Sequence, residues 1–244
     1  ALPIWPKASV ADEAGRLYIA KFPSIRDTYD VGGWEMVVNA LADGCGLQVA
    51  PAQARKFASD YHCFMVRRFD RTDTGQRLHF ASAMTMTGHS DGDDASTGVS
   101  YLELAEVIMG HGAQPNADLR ELWSRIVFNI LVSNTDDHLR NHGFILVPGK
   151  GWKLSQAYDM NPVAHADGLK LNITDADNAL DLELAREVAA YFRLNLQEAD
   201  ATIEEFRSIV GQWRVVAQQV GLSASEQDRM AGAFRLADSD AASP

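Results

Sequence analysis

The sequence predicts an α+β fold in two lobes, a small β-rich lobe followed by a mostly helical one. Strand patterns dominate the first 70 residues, helical spacing dominates the second half, and residues 85–100 form a polar stretch rich in Gly, Asp, Ser and Thr. We expect this stretch to be a long loop, either a hinge between the lobes or a solvated surface loop. The predicted boundary divides the chain into residues 1–70 and residues 71–244.

The predicted N-terminal lobe contains a hairpin, one helix and a further strand. Residues 15–22 follow a turn of Asp, Glu and Gly and form the second strand of a hairpin that begins near Ala8. Residues 30–42 carry apolar side chains at helical spacing and end before two glycines, which predicts a helix. Residues 63–66 form a short apolar strand that runs into the charged segment 67–71.

The predicted C-terminal lobe consists mainly of helices with one hairpin between them. Apolar residues recur at helical spacing over 101–109, 119–132, 181–192 and 201–220. Two short strands, 143–147 and 152–154, are joined by a Pro-Gly-Lys-Gly turn. A polar loop over residues 133–141 separates the second helix from this hairpin, and loops that rigid elements support are favoured places for function.

Composition and charge exclude several classes of protein. The 244 residues are 46% hydrophobic and include 22 Lys and Arg against 33 Asp and Glu, which gives a net charge of −11. This charge argues against nucleic acid as the main partner but allows an anionic small molecule bound by a few local cations. No apolar run approaches the roughly 18 residues of a membrane span. The two cysteines are too few for a disulfide framework, so we expect a protein of the reducing cytoplasm.

Three oxygen-bearing side chains occur in an order that has a chemical meaning. Asp136 and Asn141 lie five positions apart in the polar loop, and Asp159 follows the hairpin. Phosphoryl transfer needs a carboxylate that orients and deprotonates the attacking hydroxyl, and an Asn and a second Asp that hold Mg²⁺ against nucleotide phosphates. Upstream, Lys21 ends a strand where it can reach phosphate oxygens, and Glu35 on the next helix can orient it. The pattern predicts a protein-kinase-like fold.

Other interpretations of the same residues remain open at this point. Asp136 could cap a turn, and Asp159 could begin one before Asn161 and Pro162. His138 could brace the loop or take part in the chemistry directly. A further alternative is a transition-metal site made of His138, His142, Asp136 and Asp137, because His and carboxylate side chains suit many metals.

Four segments resemble the HipA family of bacterial serine/threonine kinases, the toxins of HipBA-type toxin–antitoxin pairs. They are NTDDHLRNHGF, KLSQAYDMNP, IAKFP and VRRFDR, and the resemblance covers about residues 6–209. It implies a bilobed kinase fold with ATP and Mg²⁺ in the cleft between a small β-rich lobe and a helical lobe.

The resemblance also implies a role for each matching residue. Asp136 matches the catalytic aspartate, and His138 matches the histidine of the catalytic loop close to the nucleotide. Asn141 and Asp159 match the Mg²⁺ ligands. The nucleotide ligands that it implies are Lys21 and Lys7 for the phosphates, the hinge residues Arg67, Arg68 and Phe69 for adenine, and Asp70 for the ribose.

Function and partners follow from the same resemblance. Family members phosphorylate a serine of a protein target, in the best-known case an aminoacyl-tRNA synthetase, which arrests growth and produces drug-tolerant persistence. A HipB-type helix-turn-helix antitoxin neutralises them, so we expect operator DNA to be contacted only through that partner. Two functional alternatives are a kinase-like module that binds a target or antitoxin without phosphotransfer, and a small-molecule kinase.

The start of the chain departs from the family pattern. HipA proteins carry an N-terminal subdomain of roughly a hundred residues before this region. We therefore expect either a truncated form or a short member whose missing piece is a separate small chain. The family's phosphate loop has Gly and Ser residues, whereas residues 2–7 read Leu-Pro-Ile-Trp-Pro-Lys.

Overall fold

The computed structural model describes residues 6–165 and 167–238, which form two small antiparallel sheets and a set of helices. The strands are β1 (Lys7–Ala11), β2 (Leu17–Lys21), β3 (Ala52–Arg55), β4 (Cys63–Arg67), β5 (Phe80–Ser82), β6 (Gly143–Val147) and β7 (Gly151–Leu154). The α-helices are α1 (Val31–Gly44), α2 (Ala83–Thr87), α3 (Tyr101–His111), α4 (Pro115–Leu131), α5 (Leu182–Val188), α6 (Leu196–Val210), α7 (Trp213–Val220) and α8 (Ala224–Met230). Short 3₁₀ segments occupy Ala95–Thr97, Ala189–Phe192 and Ala231–Phe234.

The first sheet positions two lysines beside each other. Its strand order is β1-β2-β4-β3, with every neighbouring pair antiparallel. In this register Lys7 on β1 lies directly opposite Lys21 on β2, and Lys21 lies opposite Phe64 on β4. Side chains directly opposite in an antiparallel pair are on the same face. The two ammonium groups can therefore converge on one ligand.

Helix α1 lies against the first sheet and begins at a buried cap. It packs against β3, β4 and α7. The Asp30 carboxylate accepts hydrogen bonds from the Gly33 N–H at 2.9 Å and the His62 N–H at 2.9 Å, and it contacts His62 Nδ1 at 2.5 Å. Position 32 requires glycine, because a Cβ there would lie 2.2 Å from the His62 carbonyl oxygen. The close approach of α1 to β4 fixes where Glu35 lies.

The helical part surrounds α4, whose sequence is buried over most of its length. Helix α3 packs on one side of it, and α5 and α6 pack on others. The second sheet, in the order β5-β6-β7, contacts α4 through β7, where the Leu154 N–H donates to Asp118 near the start of the helix. The polar loop leaves the end of α4 and enters β6, so a rigid helix and a strand support the two ends of this loop.

Three aromatic side chains join α1 to the C-terminal helices. The rings of Trp213 and Phe234 stack with centroids 4.5 Å apart, and Trp34 lies 6.0 Å from each of them. All three are fully buried. Aromatic pairs at such distances stabilise a fold beyond their area of burial. Helix α1 therefore shares one continuous hydrophobic core with α7 and the 3₁₀ segment Ala231–Phe234.

The predicted α+β class is confirmed, and so are the first hairpin, helix α1, strand β4 and the β6–β7 hairpin. The helix predicted over 201–220 is wrong, because the chain breaks at 211–212 into α6 and α7. The interpretation of residues 85–100 as one loop is also incomplete. This stretch contains the end of α2 and a 3₁₀ turn capped by Asp94, and strand β5 just before it was not predicted.

Across the described parts of the chain, every helix is too short or too polar to traverse a lipid bilayer.

The cap of α1 leads to a stability prediction. Asp30→Ala removes a buried acceptor that serves two backbone N–H groups and an imidazole. We expect it to lower the free energy of unfolding by about 2–4 kcal/mol, because buried donors would lose a charged acceptor. Urea denaturation followed by tryptophan fluorescence measures this value.

Asp181→Ala is the matched control, because Asp181 caps α5 in a solvent-exposed position through the Glu183 N–H. We expect this substitution to cost only about 1 kcal/mol. Equal losses in the two variants would contradict the importance assigned to the buried cap.

Candidate active site

A buried ammonium group links three parts of the chain. Lys21 Nζ at the end of β2 forms an ion pair with the Glu35 carboxylate on α1 and donates to Asp159 Oδ1 at 2.6 Å. Lys7 Nζ lies 3.5 Å from the other Asp159 oxygen. Lys21 and Glu35 are buried, whereas the Asp159 side chain is 30% exposed. Asp159 is therefore the carboxylate of this group that a ligand can reach.

Burial and charge act in opposite directions on these groups. Burial raises the pKa of Glu35 to about 7 although Lys21 opposes this rise. Burial alone would raise the pKa of Asp159 and lower that of Lys21. At Asp159 the ammonium groups of Lys21 and Lys7 have a larger effect than burial, so the pKa of Asp159 is lowered. At Lys21 the carboxylates of Glu35 and Asp159 have a larger effect than burial, so the pKa of Lys21 is raised. Asp159 and Lys21 therefore stay charged at neutral pH.

Asp159 has an unusual backbone conformation. Its φ of 60° lies in the left-handed region, which few residues other than glycine adopt, although Asp and Asn tolerate it best. Such conformations persist where the surrounding structure enforces them, and they concentrate at functional sites. The preceding residue, Tyr158, donates its hydroxyl to the Arg140 carbonyl oxygen at 2.6 Å. This bond holds the segment after β7 against the polar loop.

Asn141 connects the polar loop to the segment of Asp159. Its amide nitrogen donates to the Asp136 carbonyl oxygen at 3.0 Å and to the Asp159 carbonyl oxygen at 3.5 Å. Both bonds use the nitrogen, and a hard cation would be bound by the other amide atom, Oδ1. The three residues found from their spacing, Asp136, Asn141 and Asp159, are therefore adjacent in space.

Asp137 and His142 form a buried hydrogen-bonded pair that fixes the polar loop to the helices. The buried Asp137 carboxylate accepts hydrogen bonds from the Tyr101 hydroxyl at 2.6 Å and the Asn129 amide at 2.8 Å, and His142 Nε2 lies 2.8 Å away. Burial would raise the pKa of Asp137, but His142 and these hydrogen bonds lower it, so the carboxylate stays ionised.

The transition-metal alternative receives no support from the structure. Within residues 6–165 and 167–238, no three His, Cys, Asp or Glu side chains are grouped as a metal site would require. His142 Nε2 and Asp137 Oδ2 already pair with each other at 2.8 Å, and both side chains are buried. A Mg²⁺ site made of one carboxylate, one amide and ligand phosphates needs no such group.

A cavity of about 450 Å³ opens beside Asp159. Its volume is in the range typical of small-molecule sites. Five cationic side chains, two carboxylates and a mainly apolar wall line it. They are Lys7, Lys21, Arg67, Arg68 and Arg140; Asp70 and Asp159; and Ile19, Val66, Phe69, Phe80, Ser82, Met84 and Tyr158. In a chain of net charge −11, this lining is a local concentration of positive charge.

The predicted hinge segment forms the far wall of this cavity. The Phe69 ring lies 5.3 Å from that of Tyr158, which forms an aromatic wall. Asp70 is held by Arg68 at 2.7 Å and Arg71 at 2.5 Å, and the hydrogen bond from Arg68 is the main reason why its pKa is lowered. The N–H groups of residues 67 and 68 already donate to the carbonyl oxygens of residues 51 and 17. Those two N–H groups are therefore not available for hydrogen bonds to a nucleotide base.

A second cavity of about 210 Å³ contains the other predicted catalytic residues. Asp136 and His138 line it together with the segment 90–94 and Lys170. It shares Met84 and Arg140 with the first cavity. The structure therefore places Lys7, Lys21, the residues 67–70 and Asp159 around one cavity and Asp136 and His138 around its neighbour, with Asn141 between them.

The structure adds residues that the sequence analysis did not single out. Tyr158, Phe80 and Arg140 line the first cavity. Tyr158 precedes Asp159 and Arg140 precedes Asn141, so their positions next to predicted ligands were the available signal. Residues 2–5, part of the segment compared with the phosphate loop, lie outside the described residues.

Comparison with known proteins identifies the family. The family model of the HipA-like C-terminal domain matches residues 4–213. One relative, named "Putative kinase" of Haemophilus influenzae, is 31% identical over 137 residues, which are 54% of this chain and 37% of that protein. Another, "Putative kinase Y4mE" of Sinorhizobium fredii, is 29% identical over 157 residues, 61% of this chain and 35% of that protein. The chain thus spans about a third of the length of these curated relatives.

Two solved structures share the fold. The first is a chain from the Shewanella oneidensis MR-1 toxin–antitoxin complex of HipA, HipB and operator DNA, with a TM-score of 0.75 and 19% identity over 98% of this chain and 63% of that chain. The second is the proinflammatory kinase CtkA of Helicobacter pylori, with a TM-score of 0.59 and 13% identity over 96% of this chain and 94% of that chain.

The fold and the site define a kinase-like protein. The chain belongs to the HipA-like C-terminal domain family, whose model covers most of its length.

The raised pKa of Glu35 predicts a pH dependence of stability. The folded chain keeps the Glu35 proton up to about pH 7, whereas the ordinary value is 4.5. Between these values the folded state binds more protons than the unfolded state, so the free energy of unfolding falls as pH rises. The contribution of Glu35 to this fall is at most about 3–4 kcal/mol.

Glu35→Gln removes the titration and keeps an oxygen that can accept from Lys21. We expect its unfolding free energy, measured by urea denaturation at intervals from pH 4.5 to 7.5, to fall less steeply than that of the unaltered chain. Parallel curves for the two proteins would show that Glu35 is ionised throughout this range and would contradict the assignment.

Proposed function

We propose that this chain is an ATP- and Mg²⁺-dependent protein kinase that transfers phosphate to a serine or threonine of a protein target. The observation that carries the proposal is that Asn141 joins Asp159, in the wall of a cavity with a cationic lining, to Asp136, in the wall of the neighbouring cavity. Membership of the HipA-like family supports the same class of reaction.

The lining of the first cavity suits a nucleotide. Its five cations complement the phosphates, and its aromatic and aliphatic wall suits a base. Lys21 cannot swing freely, because Glu35 holds it on one side. We assign Lys21 and Lys7 to the phosphates, the segment 67–69 to adenine and Asp70 to the ribose.

The donor set beside the cavity fits Mg²⁺. Asp159 provides an ionised and partly exposed carboxylate, and Asn141 provides an amide oxygen. Mg²⁺ prefers oxygen ligands and is commonly held by one or two carboxylates together with substrate phosphates. When bound there, the ion would neutralise phosphate charge and hold the phosphates in place.

In the proposed reaction, the oxygen of the acceptor hydroxyl attacks the terminal phosphorus of ATP. The bond between that phosphorus and the bridging oxygen breaks, and ADP leaves with the electron pair. Asp136 orients the hydroxyl and takes its proton. His138, in the same loop, faces the second cavity and would position the acceptor beside Asp136.

The partners that we propose are a protein substrate and a HipB-like helix-turn-helix antitoxin. The Shewanella neighbour was solved with HipB and operator DNA, which supports such a partner for this chain. The net charge of −11 opposes direct binding to DNA, so operator contacts would come from the partner.

Asp136→Asn and Asp159→Asn test the proposed chemistry. Asn tolerates the left-handed conformation of residue 159, so the second variant changes charge with little change of backbone. We expect each to lower phosphate transfer at least about a hundredfold, because the first loses the base and the second a metal ligand. Transfer from radiolabelled ATP to protein in a cell lysate measures the loss, and a small-molecule fraction is counted separately.

Asp228→Asn is the control, because Asp228 is an exposed aspartate of α8 that lines neither cavity. Near-full transfer by either test variant would contradict the assigned roles. Label in the small-molecule fraction alone would favour a small-molecule kinase. Calorimetry that detects no binding of ATP with Mg²⁺ would favour a binding module without phosphotransfer.

A further inference from the structure

One cationic side chain belongs to both cavities. Arg140 lies in the polar loop next to Asn141, and it lines both the first cavity, with Asp159, and the second cavity, with Asp136. At rest its guanidinium forms an ion pair with Asp91 at 2.5 Å, on the rim of the second cavity. The side chains of Arg140 and Asp91 are 49% and 70% exposed. Ion pairs this exposed contribute little to stability and are easily exchanged.

The backbone of Arg140 is fixed although its side chain is exposed. Its carbonyl oxygen accepts the Tyr158 hydroxyl at 2.6 Å, and the next residue, Asn141, is buried and bonded to the carbonyl oxygens of residues 136 and 159. A change of partner by the guanidinium therefore requires only side-chain rotation. Such rotations of exposed side chains occur within nanoseconds.

The two cavities differ in charge, and Arg140 lies where they meet. The first is lined by five cations and two carboxylates, whereas the second is lined by four aspartates with Arg140 and Lys170 as its cations. Within the described residues of the first cavity, Lys21 and Lys7 contact Asp159, Arg68 contacts Asp70, and Arg67 contacts Asp73. Arg140 alone among these cations is paired with a residue of the other cavity.

We propose that Arg140 exchanges Asp91 for the terminal phosphate of the bound nucleotide and so serves as a phosphate ligand of the transferred group. A guanidinium binds phosphate through two parallel hydrogen bonds, and the terminal phosphate carries more charge than a carboxylate. The exchange also leaves the Asp91 carboxylate uncovered in the second cavity when the nucleotide is in place. This inference rests on the proposed function, because it takes the first cavity as the nucleotide site.

Nucleotide affinities of three variants test the exchange. The dissociation constants of ATP and of ADP, each with Mg²⁺, are measured by calorimetry for Arg140→Gln, Asp91→Asn and the double variant. Arg140→Gln should weaken ATP about tenfold, as the loss of a charge-assisted hydrogen bond does, and change ADP less than twofold. Asp91→Asn should tighten ATP about twofold to fivefold, because it removes the competing partner.

The double variant separates exchange from a general electrostatic effect. In the Arg140→Gln background, Asp91→Asn should leave ATP affinity unchanged, since no guanidinium remains to be released. The controls are Arg214→Gln and Asp228→Asn, which break an ion pair of nearly the same exposure, 48% and 75%, away from both cavities. We expect neither control to change nucleotide affinity.

Several outcomes would overturn the exchange. Equal weakening of ATP and ADP by Arg140→Gln, or no weakening, would show that Arg140 does not bind the terminal phosphate. Tightening by Asp91→Asn that persists in the double variant would show that Asp91 acts by its charge alone. If the unaltered chain binds neither nucleotide, the proposed function fails and the exchange fails with it, whereas the other outcomes leave the proposed function standing.

Discussion

The ion pairs of Lys21 are the interaction on which the site depends. One buried ammonium group joins the first sheet, helix α1 and the segment after β7, which are far apart in sequence. A buried charge is tolerated only when opposite charges and hydrogen bonds compensate for lost hydration, and removal of one partner leaves the others uncompensated. The position of Lys21 therefore requires Glu35 and Asp159 to be where they are.

This arrangement divides the roles of the two carboxylates. Glu35 is buried in direct contact with Lys21, so it serves to hold the Lys21 side chain in place. Asp159 is partly exposed, has a lowered pKa and shares its charge between two lysines. A cation that approaches Asp159 competes with these lysines, and nucleotide phosphates would provide the lysines with new partners. Metal and nucleotide would accordingly bind together more readily than either alone.

The polar loop depends on a second buried charge. Asp137 is ionised beneath the loop and is held by Tyr101, Asn129 and His142. Three hydrogen-bond partners around one buried carboxylate restrict its movement. They hold Asp136 and Asn141 at their positions although these residues lie outside regular structure. A helix, a strand and a buried network thus support a loop whose half-buried Asp136 and His138 line the second cavity.

Much of this site could be predicted from the sequence, for a physical reason. The proposed phosphoryl transfer requires a base, two metal ligands and a lysine in a set order, so the spacing of these residue types carried information about chemistry. Arg140 was missed because an arginine in a polar loop has no spacing requirement. Its position beside Asn141 was a weak signal, and its place between two cavities is visible only in the structure.

Short elements were harder to predict than the site. The α2 helix and the 3₁₀ turn at 95–97 are specified by their caps, Ser82 and Asp94, rather than by an apolar face. The break between α6 and α7 follows a single glycine, which helical periodicity does not detect. After the break, Trp213 at the start of α7 packs on Trp34 and Phe234.

A crystal structure with a non-hydrolysable ATP analogue and Mn²⁺ in place of Mg²⁺ tests the central claim most directly. The account predicts an anomalous Mn²⁺ peak between the Asp159 carboxylate and Asn141 Oδ1, with the analogue's phosphates beside Lys21. A peak elsewhere, or an analogue bound outside the cavity that Lys21 and Asp159 line, would contradict it.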